Sequence, residues 1–355
     1  MSLENLRRKI DEADAKIVKL LAERIKIAEE IGKEKQEQGK QVEDKGREKI
    51  VLENVRSIAR EESINPESIA SIYREIITIA KSVEGIVVAF QGEIGAYSEE
   101  AAFNFFGPSV KVEPCESLDD VFRVVEQGEV PFGSVPIENS LEGSISRVYD
   151  LLLNSTVKVS GEMGLRVIHC LIANPGARVD LIRKVYSHPQ ALGQCQAFLK
   201  HLNCELIPTY DTAGSVKMVK EKGIVDGAAI AGARAAAIYG MEIIAREIED
   251  NPNNFTRFFI VSQQDSPPSG NDKTSIVFSV KHRPGALYEF LKELAARNIN
   301  LTKLESRPTR QKPWDYNFYL DFEGHHQDKA SREALEYLEE NSLFVKVLGS
   351  YPKAK

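Results

Sequence analysis

The chain has 355 residues, of which 42% are hydrophobic and 28% charged, and its formal net charge is −7. This length exceeds one ordinary hydrophobic core, so two or three domains are expected. The acidic balance excludes a general attraction to nucleic acid or to anionic membranes. No segment resembles a signal peptide or reaches the roughly 18 apolar residues of a membrane span. The four cysteines lack the close spacing of a zinc site. We therefore expect a cytoplasmic protein with reduced thiols.

Residues 1–84 predict helices only. Apolar residues recur at three- and four-residue steps from Leu3 to Ile31, which is the period of one long amphipathic helix. A second predicted helix covers residues 44–61. A third begins at Pro66, a favoured first-turn residue, and runs to Val83.

Basic residues on the first helix could bind an anion. Arg24 and Lys35 are 11 residues apart, which places them on one face about 16 Å apart. Arg7 lies 17 residues before Arg24, about 25 Å away, so it cannot share that ligand within one chain. An antiparallel dimer could supply Arg7 from the partner chain. A solvated charged face, or a helical arm that serves only dimerisation, explains the same pattern without a ligand.

From Gly85 onward, short apolar runs alternate with helical runs to about Gln264, which is an α/β pattern. The predicted strands cover residues 86–90, 133–137, 157–163, 167–172, 184–187, 205–209, 228–231 and 258–262. A polar linker covers residues 265–272. After it, the order βαββαβ predicts a ferredoxin-like sandwich. We therefore divide the chain into domains at residues 1–84, 85–264 and 273–355.

Polar motifs follow several predicted strands of the middle segment. They are FQGEIGAYS at residues 90–98, VPIENS at 135–140, SHPQ at 187–190 and NPNNFTR at 251–257. Ligands of open α/β sheets bind outside the carboxyl ends of strands, and a glycine-rich turn before a helix offers unpaired N–H groups to an anion. Each motif taken alone is equally compatible with turn and cap chemistry.

The helical segment resembles the all-helical chorismate mutase family through LRRKIDEADAKIVKLLAERIKIAEEIGKEK, VEDKGREKIVLENV and IYREIITIAKSVE. The resemblance implies a three-helix intertwined dimer that rearranges chorismate to prephenate. It implies site residues at Arg7 (from the partner chain), Arg24, Lys35, Asp44, Arg47, Glu48 and Glu84. Such a site holds the dianion in its folded conformer and stabilises charge on the breaking ether oxygen. Lys35 would donate to that oxygen. Glu84 stands where many relatives have glutamine, so it must carry a proton to donate there.

The middle segment resembles the prephenate dehydratase family over residues 86–262, through QGEIGAYSEEAA, VPIENSLEG, SHPQALGQC, YDTAGSVK, AAIAGARAAAIYGM and NFTRFFIV. The implied fold has two α/β lobes around a cleft, like type II periplasmic binding proteins. The implied reaction converts prephenate to phenylpyruvate with loss of CO₂ and the ring hydroxyl. Thr256 would assist the leaving hydroxyl, and Glu138 and Asn139 would orient it. The implied prephenate-binding residues are Ser187, Gln190, Thr212, Gly95, Ala96 and Arg257.

Three alternatives stay open for this segment. His188 is either a general acid or a structural residue beside Pro189. Variants at Glu93, Ala96 and Asp211 also occur in arogenate dehydratases, so arogenate remains an alternative substrate. A non-catalytic solute-binding or amino-acid-sensing protein would share the two-lobed fold.

The C-terminal segment resembles the ACT domain of these dehydratases through TSIVFSV, PGAL and LESRP. The resemblance implies a phenylalanine site formed by Gly285, Ala286, Leu287, Glu305, Ser306 and Arg307. Gly285 would allow the ligand carboxylate to approach the helix start. A domain that only dimerises is the alternative.

Together the three resemblances imply a bifunctional isomerase and lyase of phenylalanine biosynthesis that is inhibited by phenylalanine. They imply a homodimer or homotetramer, with chorismate, prephenate and phenylalanine as its small-molecule partners and with no metal or cofactor.

Overall fold

The computed structural model describes residues 3–37, 45–83, 86–108, 110–281, 283–309 and 315–354. The chain forms two compact units, Met1–Val87 with Phe103–Lys111 and Val88–Ala102 with Val112–Lys355. None of the described helices is both long enough and apolar enough to cross a membrane.

The described part of the first unit is mainly helical, as the periodicity predicts. Its helices are α1 (Leu3–Glu37), α2 (Lys45–Glu61) and α3 (Pro66–Val83). The side-chain oxygen of Asn65 accepts hydrogen bonds from the N–H groups of Glu67 and Ser68 at 3.0 and 3.1 Å, which caps α3. Arg56 of α2 pairs with Glu67 of α3 at 2.8 Å. These contacts fix α3 against α2.

Helix α1 leaves an apolar stripe uncovered. Leu6, Ile10, Ile17, Leu20 and Ile27 are each between 44% and 65% exposed. An amphipathic helix of a soluble protein normally buries such a stripe against another surface. This face is therefore suited to a partner.

The second unit contains three sheets and the helices that cover them. Its strands are β1 (Val87–Gln91), β2 (Lys111–Cys115), β3 (Phe132–Asn139), β4 (Gly143–Ser144), β5 (Lys158–Arg166), β6 (Cys170–Ala173), β7 (Lys184–Ser187), β8 (Glu205–Pro208), β9 (Gly227–Ala231), β10 (Glu242–Ala245), β11 (Phe255–Ser262), β12 (Asp272–Ser279), β13 (Leu301–Pro308), β14 (Tyr316–Glu323) and β15 (Phe344–Pro352). The first residue of β1 and the first residue of β2 belong to the other unit. The described helices are α4 (Tyr97–Phe106), α5 (Leu118–Glu126), α6 (Ser146–Asn154), α7 (Pro189–Gln194), α8 (Gln196–Leu199), α9 (Thr212–Glu221), α10 (Ala233–Tyr239), α11 (Ala286–Ala296) and α12 (Lys329–Asn341).

Each sheet belongs to one lobe or domain. The first has the order β2-β1-β3-β11-β5 with β4 beside β3, the second β10-β6-β9-β7-β8, and the third β13-β14-β12-β15. The first two sheets form the predicted pair of α/β lobes, and the third forms the predicted βαββαβ sandwich. Strands β2, β4 and β10 were not among the predicted strands.

The centre of the first sheet is the antiparallel pair β3 and β11. Thr256 lies opposite Asn139 and Arg257 opposite Glu138, with an irregularity in the register between Arg257 and Phe258. Because successive side chains of a strand point to opposite faces, Thr256 and Arg257 face opposite sides of the sheet. The sequence predicted that both strands stop short of these residues, whereas the observed strands include them.

The C-terminal domain packs on the first sheet. A Cβ atom added to Gly349 of β15 would lie only 2.1 Å from the carbonyl oxygen of Val159 in β5. Lys346 of β15 donates to the carbonyl oxygens of Leu152, Leu153 and Ser155 at 2.6 to 2.9 Å, where a lysine satisfies unpaired groups at the end of α6. The C-terminal domain is therefore fixed directly to the lobe that carries Thr256.

Candidate functional site

A cavity of about 210 Å³ opens between the first and second sheets. It is lined by Gln91, Gly92, Ala96, Tyr97, Ser98, Pro136, Asn139, Ile145, His188, Gln190, Tyr210, Asp211, Thr212, Thr256 and Phe258. The loops that follow β1, β7 and β8 all contribute to it. Site formation by loops at strand ends is the arrangement expected of an α/β fold.

Asn139 fixes the direction of the Thr256 hydroxyl. The side-chain oxygen of Asn139 accepts hydrogen bonds from the N–H groups of Leu141 and Glu142 at 3.0 and 3.1 Å. A backbone N–H can only donate, so the Asn139 amide has one possible orientation. Its Nδ2 then donates to Thr256 Oγ1 at 3.0 Å. The Thr256 oxygen is an acceptor in this bond, so its own hydrogen remains available for a ligand.

Asp211 connects the two lobes at the cleft. Its Oδ1 accepts from the N–H of Ala213 at 2.7 Å and caps α9, while its Oδ2 accepts from the N–H of Glu93 at 2.7 Å. The Glu93 carboxylate in turn pairs with Lys217 at 3.0 Å and accepts from the Tyr210 hydroxyl at 3.1 Å. Burial, together with Glu93, raises the pKa of Tyr210 to about 12, which keeps its hydroxyl protonated as a donor.

Gly92 leaves room for this connection. It has a φ of +112°, and a Cβ atom there would lie 2.6 Å from Asp211 Oδ2. We expect Gly92→Ala to lower kcat/KM for the cleft's substrate by about tenfold or more, because strain of about 1–3 kcal/mol would be relieved by displacing Asp211. Gly176→Ala is the matched control, since Gly176 has a φ of +82° but a Cβ atom added there would meet no described atom within 4 Å. Equal losses in the two variants, measured by steady-state kinetics, would contradict the assigned role.

Several predicted binding residues lie at the cleft, but not all of their donors are available. Gln190, Thr212 and Ala96 line it. The N–H of Gly95 donates to Glu99 at 2.9 Å, and that of Ala96 to the Glu93 carbonyl oxygen at 3.0 Å. These two backbone groups are therefore engaged within the protein.

Two of the predicted polar side chains at strand ends also have partners within the protein. The Ser187 hydroxyl is buried and donates to the carbonyl oxygen of Ile230 at 2.7 Å. His188 lines the cleft and caps α7, with its Nδ1 accepting from the N–H of Gln190 at 3.3 Å. That bond assigns the hydrogen of the neutral His188 ring to Nε2.

Glu138 and Arg257 lie on the opposite face of the sheet from the cleft. Arg257 is 3.0 Å from Glu162, 2.5 Å from Asp321 and 3.7 Å from Glu138, and Glu138 also pairs with Lys303 at 2.8 Å. Burial by itself lowers the pKa of Arg257, but Asp321, Tyr351 and Glu162 outweigh it and raise that pKa above its ordinary value. The strand alternation directs both side chains to the C-terminal domain, and the roles predicted for Glu138 and Arg257 in prephenate binding stay predictions.

Replacing Arg257 with leucine should destabilise the chain strongly. The change leaves the buried Asp321 without Arg257 and leaves Glu162 with Lys273 as its cation among the described residues, and loss of one partner of a buried pair costs about 3 kcal/mol. Arg178→Ala is the control, because Arg178 and Asp180 form an exposed pair that contributes less than about 1 kcal/mol. Urea unfolding of the full chain measures both, and a similar small loss for the two variants would contradict the assignment.

Sequence reasoning missed several cleft residues, namely Gln91, Tyr97, Ser98, Ile145, Tyr210 and Phe258. Gln91, Tyr97 and Ser98 belong to the glycine-rich motif, and Tyr210 precedes the cap residue Asp211. Proximity to these motifs was the available signal. Local sequence patterns could not predict which residues face each other across the cleft.

In the helical unit, Arg7 is exposed and Arg24 is half-buried. The Arg24 Nη1 atom is buried and has no hydrogen-bond partner among the described atoms. A buried donor without a partner is uncommon and indicates a missing acceptor. The side chains of Lys35, Arg47 and Glu48 lie outside the described part of the structure, as do Asp44 and Glu84 entirely.

The C-terminal domain borders a cavity of about 650 Å³. Gly285, with a φ of +82°, is the N-cap residue of α11, and the next two residues, Ala286 and Leu287, line the cavity. The predicted residues of β13 do not line it. Glu305 accepts a hydrogen bond from Ser144, Arg307 lies 3.9 Å from Asp150, and Ser306 is exposed on the other face of the strand. Within one chain, the predicted phenylalanine-binding residues therefore lie in two places, with those of α11 at the cavity and those of β13 away from it.

Three family models match the chain in order: Chorismate mutase type II at residues 6–85, Prephenate dehydratase at 88–266 and ACT domain at 274–340. A bifunctional chorismate mutase/prephenate dehydratase of Aquifex aeolicus is 40% identical, over 99% of this chain and 98% of that protein. The chain belongs to the bifunctional chorismate mutase/prephenate dehydratase family.

Two further similarities each cover three quarters of the chain or more. Arogenate dehydratase/prephenate dehydratase 2 of Arabidopsis thaliana is 42% identical, over 84% of this chain and 80% of that protein. A crystal structure of prephenate dehydratase from Arthrobacter aurescens in complex with L-Phe has a TM-score of 0.69 at 31% identity, covering 76% of this chain and 90% of that one.

The predicted fold class is confirmed: chorismate mutase helices, a two-lobed dehydratase and an ACT domain. The predicted bifunctional enzyme of phenylalanine biosynthesis, an isomerase and a carbon–oxygen lyase in one chain, is confirmed with it.

Proposed function

We propose that the cleft between the lobes converts prephenate to phenylpyruvate and that Thr256 donates a hydrogen bond to the departing ring hydroxyl. The observation that carries this proposal is the Asn139–Thr256 bond, which makes the threonine oxygen an acceptor and leaves its hydrogen for the substrate. Thr256 lines the cleft, where a substrate can reach that hydrogen.

The reaction needs little acid strength from the protein. The bond from the ring to its carboxylate breaks, and the electron pair completes the aromatic ring as CO₂ leaves. The carbon–oxygen bond of the hydroxyl breaks at the same time, and a proton from solvent converts the departing hydroxide to water. A threonine hydroxyl is a poor acid, so Thr256 acts by stabilising charge on the leaving oxygen and by holding it in place.

The cleft binds a dianion without a strong cation. Among its described lining residues there is no lysine or arginine. The first turn of α4 reaches the cleft at Tyr97 and Ser98, and unpaired N–H groups at a helix start attract carboxylates. The first turn of α9 reaches it at Thr212, although Asp211 already accepts from the next two N–H groups of that helix. This arrangement suits a carboxylate that must depart as CO₂, because a tight ion pair would hold it in the charged state.

The same lining favours prephenate over arogenate. Arogenate carries an ammonium group where prephenate has a ketone. Among the described lining residues, Asp211 supplies the carboxylate that could pair with an ammonium group. Its two oxygens already accept hydrogen bonds from backbone N–H groups. We expect the purified chain to show a higher kcat/KM for prephenate than for arogenate, measured side by side. The reverse ranking would support the arogenate alternative.

In the helical unit, we propose that Arg24, Lys35, Arg47, Glu48, Asp44 and Glu84 bind chorismate together with Arg7 of a second chain. The unpaired Nη1 of Arg24 supports a missing anionic partner. The exposed stripe of α1 supports a homodimer, or a homotetramer built from such dimers, in which the stripe is covered. Sedimentation analysis tests the oligomeric state, and a monomer at micromolar concentration would contradict it.

The cavity beside α11 is the site that we propose for phenylalanine. Leu287 and Phe318 supply apolar walls, and Asn317, Lys281 and Arg283 supply polar ones, which suits an amino acid with an aromatic side chain. Contacts from β13 to the dehydratase lobe, such as Lys303 to Glu138 at 2.8 Å, would transmit the effect of binding.

Phenylalanine should inhibit the dehydratase and raise its Tm, because a ligand that binds only the native state stabilises it, by about 2.7 kcal/mol at 100 times its Kd. Ala286→Leu should weaken both effects by occupying the cavity. Tyr288→Leu is the control, since Tyr288 is exposed and does not line the cavity. Point variants are preferable to deleting the domain, because deletion would remove the partners of Arg257. Unchanged inhibition in Ala286→Leu would place the effector elsewhere.

We further propose that the chain works in the cytoplasm. The four cysteines are unpaired in the structure, and burial raises the pKa of the Cys195 thiol well above its usual range. Thiols of this kind persist in a reducing compartment.

A further inference from the structure

A continuous set of buried side-chain hydrogen bonds leads from Thr256 away from the cleft. Asn139 Nδ2, which donates to Thr256, also donates to Asn254 Oδ1 at 2.7 Å. Asn254 Nδ2 donates to Gln194 Oε1 at 2.9 Å. The same oxygen of Gln194 lies 2.9 Å from His169 Nε2. Asn139, Asn254 and His169 are each at most 4% exposed, and Gln194 is half-buried, so the bonds nearest Thr256 are shielded from water.

The donor and acceptor of every hydrogen bond in this set follow from the orientation of the Asn139 amide. The N–H groups of Leu141 and Glu142 fix the amide of Asn139. The Asn139 NH₂ group then donates to Asn254, which must accept with its side-chain oxygen. The NH₂ group of Asn254 therefore points toward Gln194. Gln194 must accept from Asn254 with its side-chain oxygen. Because the same oxygen faces His169 Nε2, that nitrogen must carry a hydrogen. Any amide flipped within the chain would place two donors or two acceptors face to face.

The far end of the chain is compatible with this direction. The His169 Nδ1 atom lies 3.1 Å from the Tyr97 hydroxyl, which also donates to the carbonyl oxygen of Ile168 at 2.8 Å. Burial lowers the pKa of His169, so the ring is neutral near pH 7, and its bare Nδ1 shares the single Tyr97 hydroxyl hydrogen with the carbonyl oxygen of Ile168 in a three-centre bond. A neutral ring with its hydrogen on Nε2 therefore satisfies both neighbours.

We infer that Gln194 and His169 are positioning residues for the dehydratase, acting on Thr256 through Asn254 and Asn139. Neither Gln194 nor His169 lines the cleft. Their effect is to hold the Asn139 amide so that its NH₂ group always meets the threonine oxygen. The inference rests on the proposed function of the cleft. It does not require protons to travel along the chain, because amide groups at neutral pH do not pass them on.

A double-mutant cycle with prephenate as substrate tests this inference. Gln194→Leu removes the acceptor that holds Asn254, and we expect kcat to fall about tenfold while KM stays within about twofold, since one hydrogen bond becomes misdirected. In the Thr256→Ala background, the same Gln194→Leu change should cause no further loss of kcat, because its effect passes through the missing hydroxyl. Gln194→Glu keeps an acceptor oxygen and should recover most of the kcat that leucine loses.

His169→Phe provides a second variant. It keeps a ring beside Tyr97, where the two rings meet edge to face at 5.8 Å, and it removes the Nε2–H donor. We expect a smaller loss of kcat, about threefold, which is also absent in the Thr256→Ala background. If the thermal unfolding of Gln194→Leu shows that it does not fold, the kcat of His169→Phe tests the inference instead.

Two outcomes would overturn the inference. One is a wild-type kcat in both Gln194→Leu and His169→Phe. The other is an equal loss of kcat with and without the Thr256 hydroxyl, which indicates a general structural effect. An inactive wild-type enzyme would instead refute the proposed function itself, so the two failures are distinguishable.

Discussion

Thr256→Ala is expected to lower kcat for phenylpyruvate formation by about 100-fold or more, which is the scale of losing one preorganised hydrogen-bond donor to a developing charge. The alanine side chain can neither accept from Asn139 nor donate to the leaving hydroxyl. The buried NH₂ group of Asn139 also loses one of its acceptors. The measurement is the steady-state rate of phenylpyruvate formation from added prephenate.

Thr256→Ser is the matched control. It keeps the hydroxyl and the acceptor for Asn139, so it should recover most of the lost rate. Chorismate consumption should continue in both variants, because the helical domain carries that activity. A small effect of Thr256→Ala, or a simultaneous loss of chorismate consumption, would contradict the assignment.

Arg24→Ala should lower the chorismate mutase rate by about 100-fold or more, since loss of one preorganised donor to a developing charge has an effect of about 10²–10³. The structure leaves one nitrogen of this guanidinium buried and without a partner among the described atoms. Alanine cannot replace its planar pair of donors to a carboxylate. The rate is followed by the disappearance of chorismate.

Arg8→Ala is the control for that variant, because Arg8 lies on the same helix and, among the described residues, forms an exposed pair with Glu12 at 3.8 Å. Its rate should remain close to that of the wild type. Mixing inactive Arg7→Ala and Arg24→Ala chains should restore activity in one site of the mixed dimer. Failure of this rescue, with mixed dimers shown to form, would contradict a partner-supplied Arg7.

The helical period and the βαββαβ order were enough to predict the architecture. The long stripe of α1 and the proline at the start of α3 are local signals, and the structure places both as expected. Strands β2 and β10 were missed because they are short and partly exposed, so their residues have no clear apolar alternation.

Near Thr256, the observed strand boundaries differ from the predicted ones. The predicted strands covered residues 133–137 and 258–262, which left Glu138, Asn139, Thr256 and Arg257 in loops where any side chain can reach the cleft. The observed β3 and β11 include all four residues. Inside a strand, neighbours alternate between faces, so Asn139 and Thr256 share the cleft while Glu138 and Arg257 face the ACT domain.

The buried chain behind Thr256 could not be predicted from sequence. Asn139 and Asn254 are separated by 115 residues, and Asn254 and Gln194 by 60. Each of these residues has an ordinary local explanation as a turn or helix-end residue. Only the folded arrangement of two lobes brings them into one hydrogen-bonded set.

The most direct test of the whole account is to supply chorismate alone to the purified full-length chain. We expect chorismate to disappear, prephenate to rise and then fall, and phenylpyruvate to accumulate, as followed by ultraviolet absorbance and chromatography. Thr256→Ala should stop the sequence at prephenate, whereas Arg24→Ala should stop it at chorismate yet still convert added prephenate. Loss of chorismate without any phenylpyruvate, or no consumption of either substrate, would contradict the account.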